Sequence, residues 1–209
     1  GTGSFGRGLA GRLALAGRNV IIGSRETQKA ENTASSLTEK IGVKIKGSIN
    51  LEAAQKSQMV FLCIPYTAID KIIKDVLPGL EDGDIVVSTV VPIKKEGERF
   101  VFKDLDGRSA AETMANKLPD KVNIVSGFQV VPAKNLQNFD EPIISDIPVC
   151  SDSKNAKRRI LQLIREDLGG KPIDAGALPN SSLIESTAAF LVELTRLHKS
   201  ATSVQFKGI

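Results

Sequence analysis

The sequence has no tryptophan and one tyrosine, and aromatic residues make up only 4% of its 209 positions. Single-stranded nucleic acid is gripped by aromatic platforms set among basic residues, and no such interleaving is present. Lys and Arg number 28 against 24 Asp and Glu, for a net charge of +4, and they are scattered along the chain. That balance suits small anionic ligands and argues against a nucleic-acid partner. His198 is the only histidine, and Cys63 and Cys150 stand alone without a CxxC spacing, so the ligand clusters of a zinc site are missing. Both cysteines sit in apolar, strand-like runs, which predicts buried, reduced thiols and a cytoplasmic protein. No run approaches the ~20 apolar residues that span a bilayer, and no signal peptide is visible, so no membrane association is expected.

What is present begins at the first residue. Gly1-Thr2-Gly3-Ser4-Phe5-Gly6 is a GxGxxG loop that runs into a helical stretch, Arg7 to Ala16, and then an apolar strand, Val20-Ile21-Ile22. Such a loop points backbone N–H groups and a helix N-terminus at a pyrophosphate. Gly1 suits the tight turn, Gly3 the approach of a dinucleotide, and Gly6 close packing of helix on sheet; a side chain at any of the three is expected to collide. A doubly wound sheet carries a buried strand before this loop, so an apolar strand upstream, absent from this sequence, is expected.

The next turn is more informative. An NAD site places Asp or Glu at the end of the second strand to bond the ribose hydroxyls, whereas a 2′-phosphate needs cationic and hydroxyl donors. Here the strand ends in Gly23-Ser24-Arg25, with Lys29 one helical turn on and Glu26 displaced by one residue. The donor set predicts NADP; the alternative is an ordinary solvated helix start.

Further along, Gln28 to Lys40 reads as a helix, Val43 to Lys46 as a short strand and Asn50 to Gln55 as a capped helix. Met59 to Ile64, ended by Pro65, and Asp84 to Ser88 are continuous apolar runs, the pattern of parallel strands buried on both faces. Ile69, Ile72, Ile73 and Val76 form a helical stripe between them, and a charged loop is expected after Pro92. Ser109 and Glu112 have capping-box spacing at a helix start. Val122 to Phe128, Ile147 to Cys150 and Pro172 to Asp174 read as strands, with helices over Lys154 to Leu168 and Ser181 to Leu197. On the last helix, Glu185 and Glu193 read as surface carboxylates and His198 as a helix-end residue facing the macrodipole. Alternating strands and helices predict a Rossmann-type α/β fold with a doubly wound, mostly parallel sheet. Residues 1–135 are expected to form the dinucleotide-binding part and 136–209 a smaller C-terminal α/β extension.

With these residues placed, the whole chain resembles the NADPH-dependent coenzyme F420 reductases, known from archaea and some bacteria. The resemblance is carried by the glycine loop, Gly23-Ser24-Arg25 with Lys29, Ile64-Pro65, Val90-Val91-Pro92 and Arg108-Ser109-Ala110-Ala111-Glu112. It continues through Pro132-Ala133, Val149-Cys150 and Asp174-Ala175-Gly176 with Leu178. It implies a hydride-transferring oxidoreductase with NADP and the deazaflavin coenzyme F420 as cosubstrates, assembled as a homodimer. It implies further that Thr2, Ser4 and Phe5 line the pyrophosphate loop and that Ser24, Arg25 and Lys29 hold the 2′-phosphate. Ile64 and Pro65 would border the nicotinamide, with Val90, Val91, Pro92, Gln129 and Val130 near the deazaflavin. Gln129 stands where the family pattern has His, and Gln does not titrate.

Hydride transfer between two such rings needs orientation and dryness from the protein rather than a side-chain acid or nucleophile. The strand ends accordingly carry Pro, Val, Ser and Gln. Lys94, Lys95 and Arg99 are candidates for attracting the phosphate and glutamate tail of the deazaflavin, or simply solvated loop charges. Two other readings stay open: an NADP-dependent reductase of a flavin, a ferric chelate or an imine, and an NADP-binding sensor module without turnover.

Overall fold

The computed structural model describes residues 1–209. The first half runs α1 (Ser4–Leu15), β1 (Ile21–Ser24), α2 (Thr27–Ile41), β2 (Lys46–Ile49), α3 (Asn50–Gln55), β3 (Met59–Leu62), α4 (Ile69–Val76) and β4 (Ile85–Ser88). The second continues with β5 (Ile93–Glu96), β6 (Arg99–Phe102), α5 (Ala110–Ala115), β7 (Asn123–Gly127), α6 (Ala133–Gln137), β8 (Asp146–Cys150), α7 (Lys154–Glu166), β9 (Lys171–Asp174) and α8 (Ser181–His198).

The principal sheet has the order β3-β4-β7-β8-β9, parallel except where β8 meets β7 antiparallel. β8 and β9 extend the same sheet rather than forming another. β1 and β2 pair only with each other, in parallel. The division falls between β1 and β3, where a doubly wound sheet carries the strand that enters its glycine loop.

Helix α1 spans that division because its two apolar rows face different ways. Leu9 and Leu13 join the largest core cluster with Ile85, Val125, Ile147 and Ile160, while Ala10 and Ala14 pack with Ile22, Ala34 and Leu37. Each row is spaced i, i+4, so both stripes lie along one helix. The third layer of contacts, around Ile72, Val86 and Met114, packs α4 and α5 on the opposite face of β4.

Several sequence-based readings change for physical reasons. The strand expected at Val43 to Lys46 forms instead over Lys46–Ile49, with Gly47 opposite Ile22. Ile45 supplies the buried anchor just before it, and α2 lies so close that a Cβ on Gly47 meets the Ala30 carbonyl oxygen at 2.5 Å. Gly47→Ala is therefore expected to lower stability by about 1–3 kcal/mol, read as a reduced urea midpoint. An unchanged midpoint would mean that α2 moves aside freely.

The stretch after Pro92 is not a loop but the antiparallel hairpin β5–β6, registered Ile93 to Phe102 and Glu96 to Arg99. Gly97, with φ of +60°, makes the left-handed turn between the strands, a conformation that glycine adopts without steric cost. The high charge of this segment masked its alternation.

Candidate functional site

The glycine loop lies beside the carboxyl end of β3. A Cβ on Gly1 meets the Cys63 carbonyl oxygen at 2.5 Å, and one on Gly6 runs into the Gly1 carbonyl. Gly3 differs from the expectation of a protein collision: no heavy atom lies within 4 Å of its Cβ position. Its missing side chain faces open space, the room that close approach of a ligand to the loop backbone requires. Gly3 is also the N-cap of α1, which starts at Ser4, three residues before the expected Arg7. No acidic residue occupies the first turn of that helix, so its positive end is unopposed.

One cavity gathers Gly1, Thr2, Gly3 and Gly6 from the loop, Ser24 and Arg25 from the end of β1, Lys29 from α2, and Ile64 and Pro65 after β3, and it continues between β1 and β3 past Leu9, Leu13, Val20 and Phe61. Arg25 and Lys29 are exposed and neither is engaged in a salt bridge within the chain. Ser24 Oγ accepts from the backbone N–H of Glu26 at 3.3 Å, which caps the turn. Among the residues of this cavity that sequence reasoning missed are Asn50, Thr67 and Ala68. Asn50 had an evident signal only as a helix start; its Nδ2 donates to Asp75 Oδ2 at 3.1 Å, while a Cβ on Gly23 would sit 3.1 Å from its Oδ1. Thr67 and Ala68 belong to a one-turn 3-10 helix, Tyr66–Ala68, whose residue types give no hint of a site.

Ser4, Phe5, Val90, Val91, Pro92, Gln129 and Val130 are not among the cavity's lining residues. Phe5 packs against the main core. Val90 is buried with Ala110 and Met114, and Val130 with Cys150, Ile184 and Ala188, where Val91 is half-buried. Pro92 is buried at the base of the hairpin.

Gln129 is held by its amide nitrogen, which donates to Ser88 O at 3.1 Å and to Ser126 Oγ at 2.8 Å, tying together the ends of β4 and β7. Its Oε1 is buried without a partner. The preceding residue, Phe128, has φ of +75°, a conformation that costs a non-glycine residue roughly 1–3 kcal/mol. It ends β7 one residue earlier than expected. Phe128 is wholly buried, with its ring edge-on to Phe61 at 6.0 Å, and that packing holds the turn that aims Gln129.

Helix α8 closes this end of the molecule, and two of its carboxylates correct the surface reading. Glu185 is fully buried and accepts from the backbone N–H of Ala110 at 2.8 Å and of Ala111 at 3.2 Å. It thereby secures α8 to the start of α5, where Ser109 and Glu112 form the expected capping box. Burial outweighs those hydrogen bonds and pushes the Glu185 carboxyl up to about 7. Glu193 bonds Arg196 and the backbone N–H of Phe100 on β6; the Arg196 bond is the main reason its carboxyl is held down to about 2.

Because Glu185 titrates higher when folded than its ordinary 4.5, the folded chain binds more protons than the unfolded one between those values. Its contribution to stability is thus full below pH 4.5 and is lost as pH rises through about 7, a change on the order of 3 kcal/mol. Denaturation across this range is expected to show that loss, and Glu185→Gln should abolish it. An unaltered pH profile in the variant would assign the slope to other groups. Both cysteines are free; Cys150 is buried as expected, which raises its thiol to about 11, whereas Cys63 is only half-buried, its thiol also raised by its apolar surroundings.

A glycine loop at the start of α1, facing an exposed guanidinium and ammonium at the end of β1 across one cavity, defines a Rossmann-type dinucleotide-binding protein. Residues 1–92 match the family described as NADP oxidoreductase, coenzyme F420-dependent. The chain is 37% identical to the F420-dependent NADP reductase of Methanocaldococcus jannaschii, covering 96% of this chain and 92% of that protein. The F420-dependent NADP reductase of Methanothermobacter marburgensis is 34% identical, with 93% and 89% covered. A solved structure from Arthrobacter sp. FB24, 18% identical, shares the fold at a TM-score of 0.84 over 99% of this chain and 97% of that one. The chain belongs to the F420-dependent NADP reductase family.

Proposed function

We propose that this protein is an oxidoreductase that transfers hydride between NADP(H) and the deazaflavin coenzyme F420. The observation that carries the NADP half is the end of β1: Ser24, Arg25 and Lys29 supply a hydroxyl and two free cations to the cavity, and the one carboxylate on its lining, Glu26, lies past the strand at the N-cap of α2. The F420 half is supported by the relatives of similar length, which are named F420-dependent NADP reductases. When both cosubstrates are bound, the nicotinamide and deazaflavin rings supply the hydride chemistry themselves.

In this reading the residues of the chain bind, orient and keep water out. The N–H groups of Thr2, Gly3, Ser4 and Phe5 and the positive end of α1 receive the pyrophosphate. Arg25 forks onto the 2′-phosphate with Lys29 and Ser24 beside it. Ile64 and Pro65 give the nicotinamide an apolar border. Val90, Val91, Pro92, Gln129 and Val130 form the deazaflavin side, Gln129 as a fixed amide rather than a proton carrier. Residues 1–135 then constitute the NADP-binding part and 136–209 the part that covers the deazaflavin.

The assembly in this reading is a cytoplasmic homodimer. Support for a second copy comes from α8, which exposes Leu183, Phe190 and Leu197 at seven-residue spacing. No helix is long and apolar enough to cross a membrane. Mixing the protein with NADPH and oxidised F420 is expected to bleach the deazaflavin absorbance, with FMN a much poorer acceptor. FMN reduced faster than F420 would favour the second reading, a flavin or ferric-chelate reductase, to which Gln129 in place of the family's His lends support.

A further inference from the structure

Helix α1 carries a third row besides its two apolar ones. Ser4, Gly8 and Arg12 follow one another at four-residue spacing along one line of the helix, with Gly11 beside them. A glycine inside a helix costs roughly 0.5–1 kcal/mol relative to alanine, and at both positions another segment occupies the place of the side chain. A Cβ on Gly8 meets the Leu136 Cβ at 2.6 Å, and one on Gly11 meets the Phe139 ring at 2.6 Å.

Every member of the row touches α6 or the chain just after it. The Gln137 side-chain nitrogen donates to Ser4 O at 3.0 Å, Gly8 lies against Leu136, and Arg12 donates to the Leu136 carbonyl at 3.1 Å. Leu136 is wholly buried, in one cluster with Leu9 and Leu13. At its other end α6 is separated from Gln129 only by Val130, Val131 and Pro132. That link is tight. The Val131 N–H donates to Phe128 O at 3.1 Å, Pro132 O accepts from the Asn135 N–H at 3.0 Å, and Val131 is buried in the same cluster as Leu136. One short helix is thus packed against the first turns of α1 and tied to the turn that bears Gln129.

We propose that α6 sets the placement of the two halves of the hydride-transfer site relative to each other, with Gly8 and Gln137 as positioning residues. This assignment rests on the hydride-transfer reading above. The first turn of α1 receives the pyrophosphate and so places the nicotinamide, while the turn at Gln129 borders the deazaflavin. A shift of α1 on α6 moves one ring against the other. Each cosubstrate keeps its own contacts, so the loss falls on the transfer step rather than on binding, and a misplacement of about 1 Å costs such a step roughly a hundredfold.

The test compares single-turnover bleaching of F420 by NADPH, both saturating, with the dissociation constant of each cosubstrate titrated alone. Gly8→Ala sets its new Cβ against Leu136 and forces α1 away from α6. It is expected to slow bleaching about tenfold or more while both dissociation constants stay within about threefold of native. Gln137→Met removes only the donor to Ser4 O and should slow bleaching about threefold with the same split; it carries the test alone if the alanine variant does not fold. NADPH deuterated at C4 should give these variants a steady-state isotope effect larger than that of the native protein, because hydride transfer then limits turnover. Native bleaching rates in the variants, or a loss of NADPH affinity that accounts for the lost rate, would overturn the assignment while the native protein continues to bleach F420. A native protein that binds NADPH and bleaches nothing would remove the hydride-transfer reading and this assignment together.

Discussion

Arg25→Glu is expected to weaken NADPH binding roughly a thousandfold while changing NADH less than about threefold. Charge-assisted hydrogen bonds of a guanidinium to phosphate contribute about 1.5–3 kcal/mol, and a carboxylate in the same place adds repulsion of similar size. Together these reach about 4 kcal/mol, or three orders of magnitude. The rest of the dinucleotide meets the glycine loop, which the substitution leaves alone, and NADH has no 2′-phosphate to lose. Arg25 is exposed at the mouth of the cavity and forms no salt bridge in the chain, so no internal ion pair confounds the comparison. Fluorescence titration with each nucleotide measures the ratio. Equal losses for both would sink the 2′-phosphate role.

The largest effect on stability is expected at Arg12. This residue of α1 is 9% exposed and meets no carboxylate. Its guanidinium donates to four backbone carbonyls, Leu136 at 3.1 Å, Asn135 at 2.7 Å, Asn138 at 2.6 Å and Glu141 at 2.8 Å. It therefore organises α6 and the irregular chain that leads to β8. Burial pulls its pKa down, the cost of holding a charge away from water.

Arg12→Met fills similar space but leaves those carbonyls without their donor, and a loss of about 3–5 kcal/mol is expected. Arg12→Lys keeps the charge with fewer donors and no planar fork, so it should fall between the two. Urea denaturation of the three proteins gives the order, and a native-like midpoint for the methionine variant would show that α6 needs no such tether.

What the sequence made legible has a common character. The glycine loop, the strand ending in Ser24 and Arg25, the stripe of α4 and the capping box at Ser109 are local patterns, each settled within one or two turns of chain. Their spacing sufficed for the α/β class and for the dinucleotide cavity, where Gly1, Thr2, Gly3, Gly6, Ser24, Arg25, Lys29, Ile64 and Pro65 come together. The hairpin was illegible because its inward residues, Phe100 and Phe102, alternate with charges that read as loop. Glu185 was illegible for a related reason: on a helical wheel it resembles Glu193, yet it faces the backbone N–H groups of a helix 74 residues earlier in the chain.

The sequence by itself determined the fold class, the nucleotide loop and the cationic end of β1, because backbone sterics and charge at neighbouring positions act over a few residues. Only the tertiary structure decided which charged groups are free. Packing of α8 on α5 buries Glu185 against the α5 backbone, α1 brings Arg12 to four backbone carbonyls between Asn135 and Glu141, and the Lys103 ammonium meets the Tyr66 ring. Burial and pairing depend on what a side chain meets across the fold, and no local pattern encodes that partner.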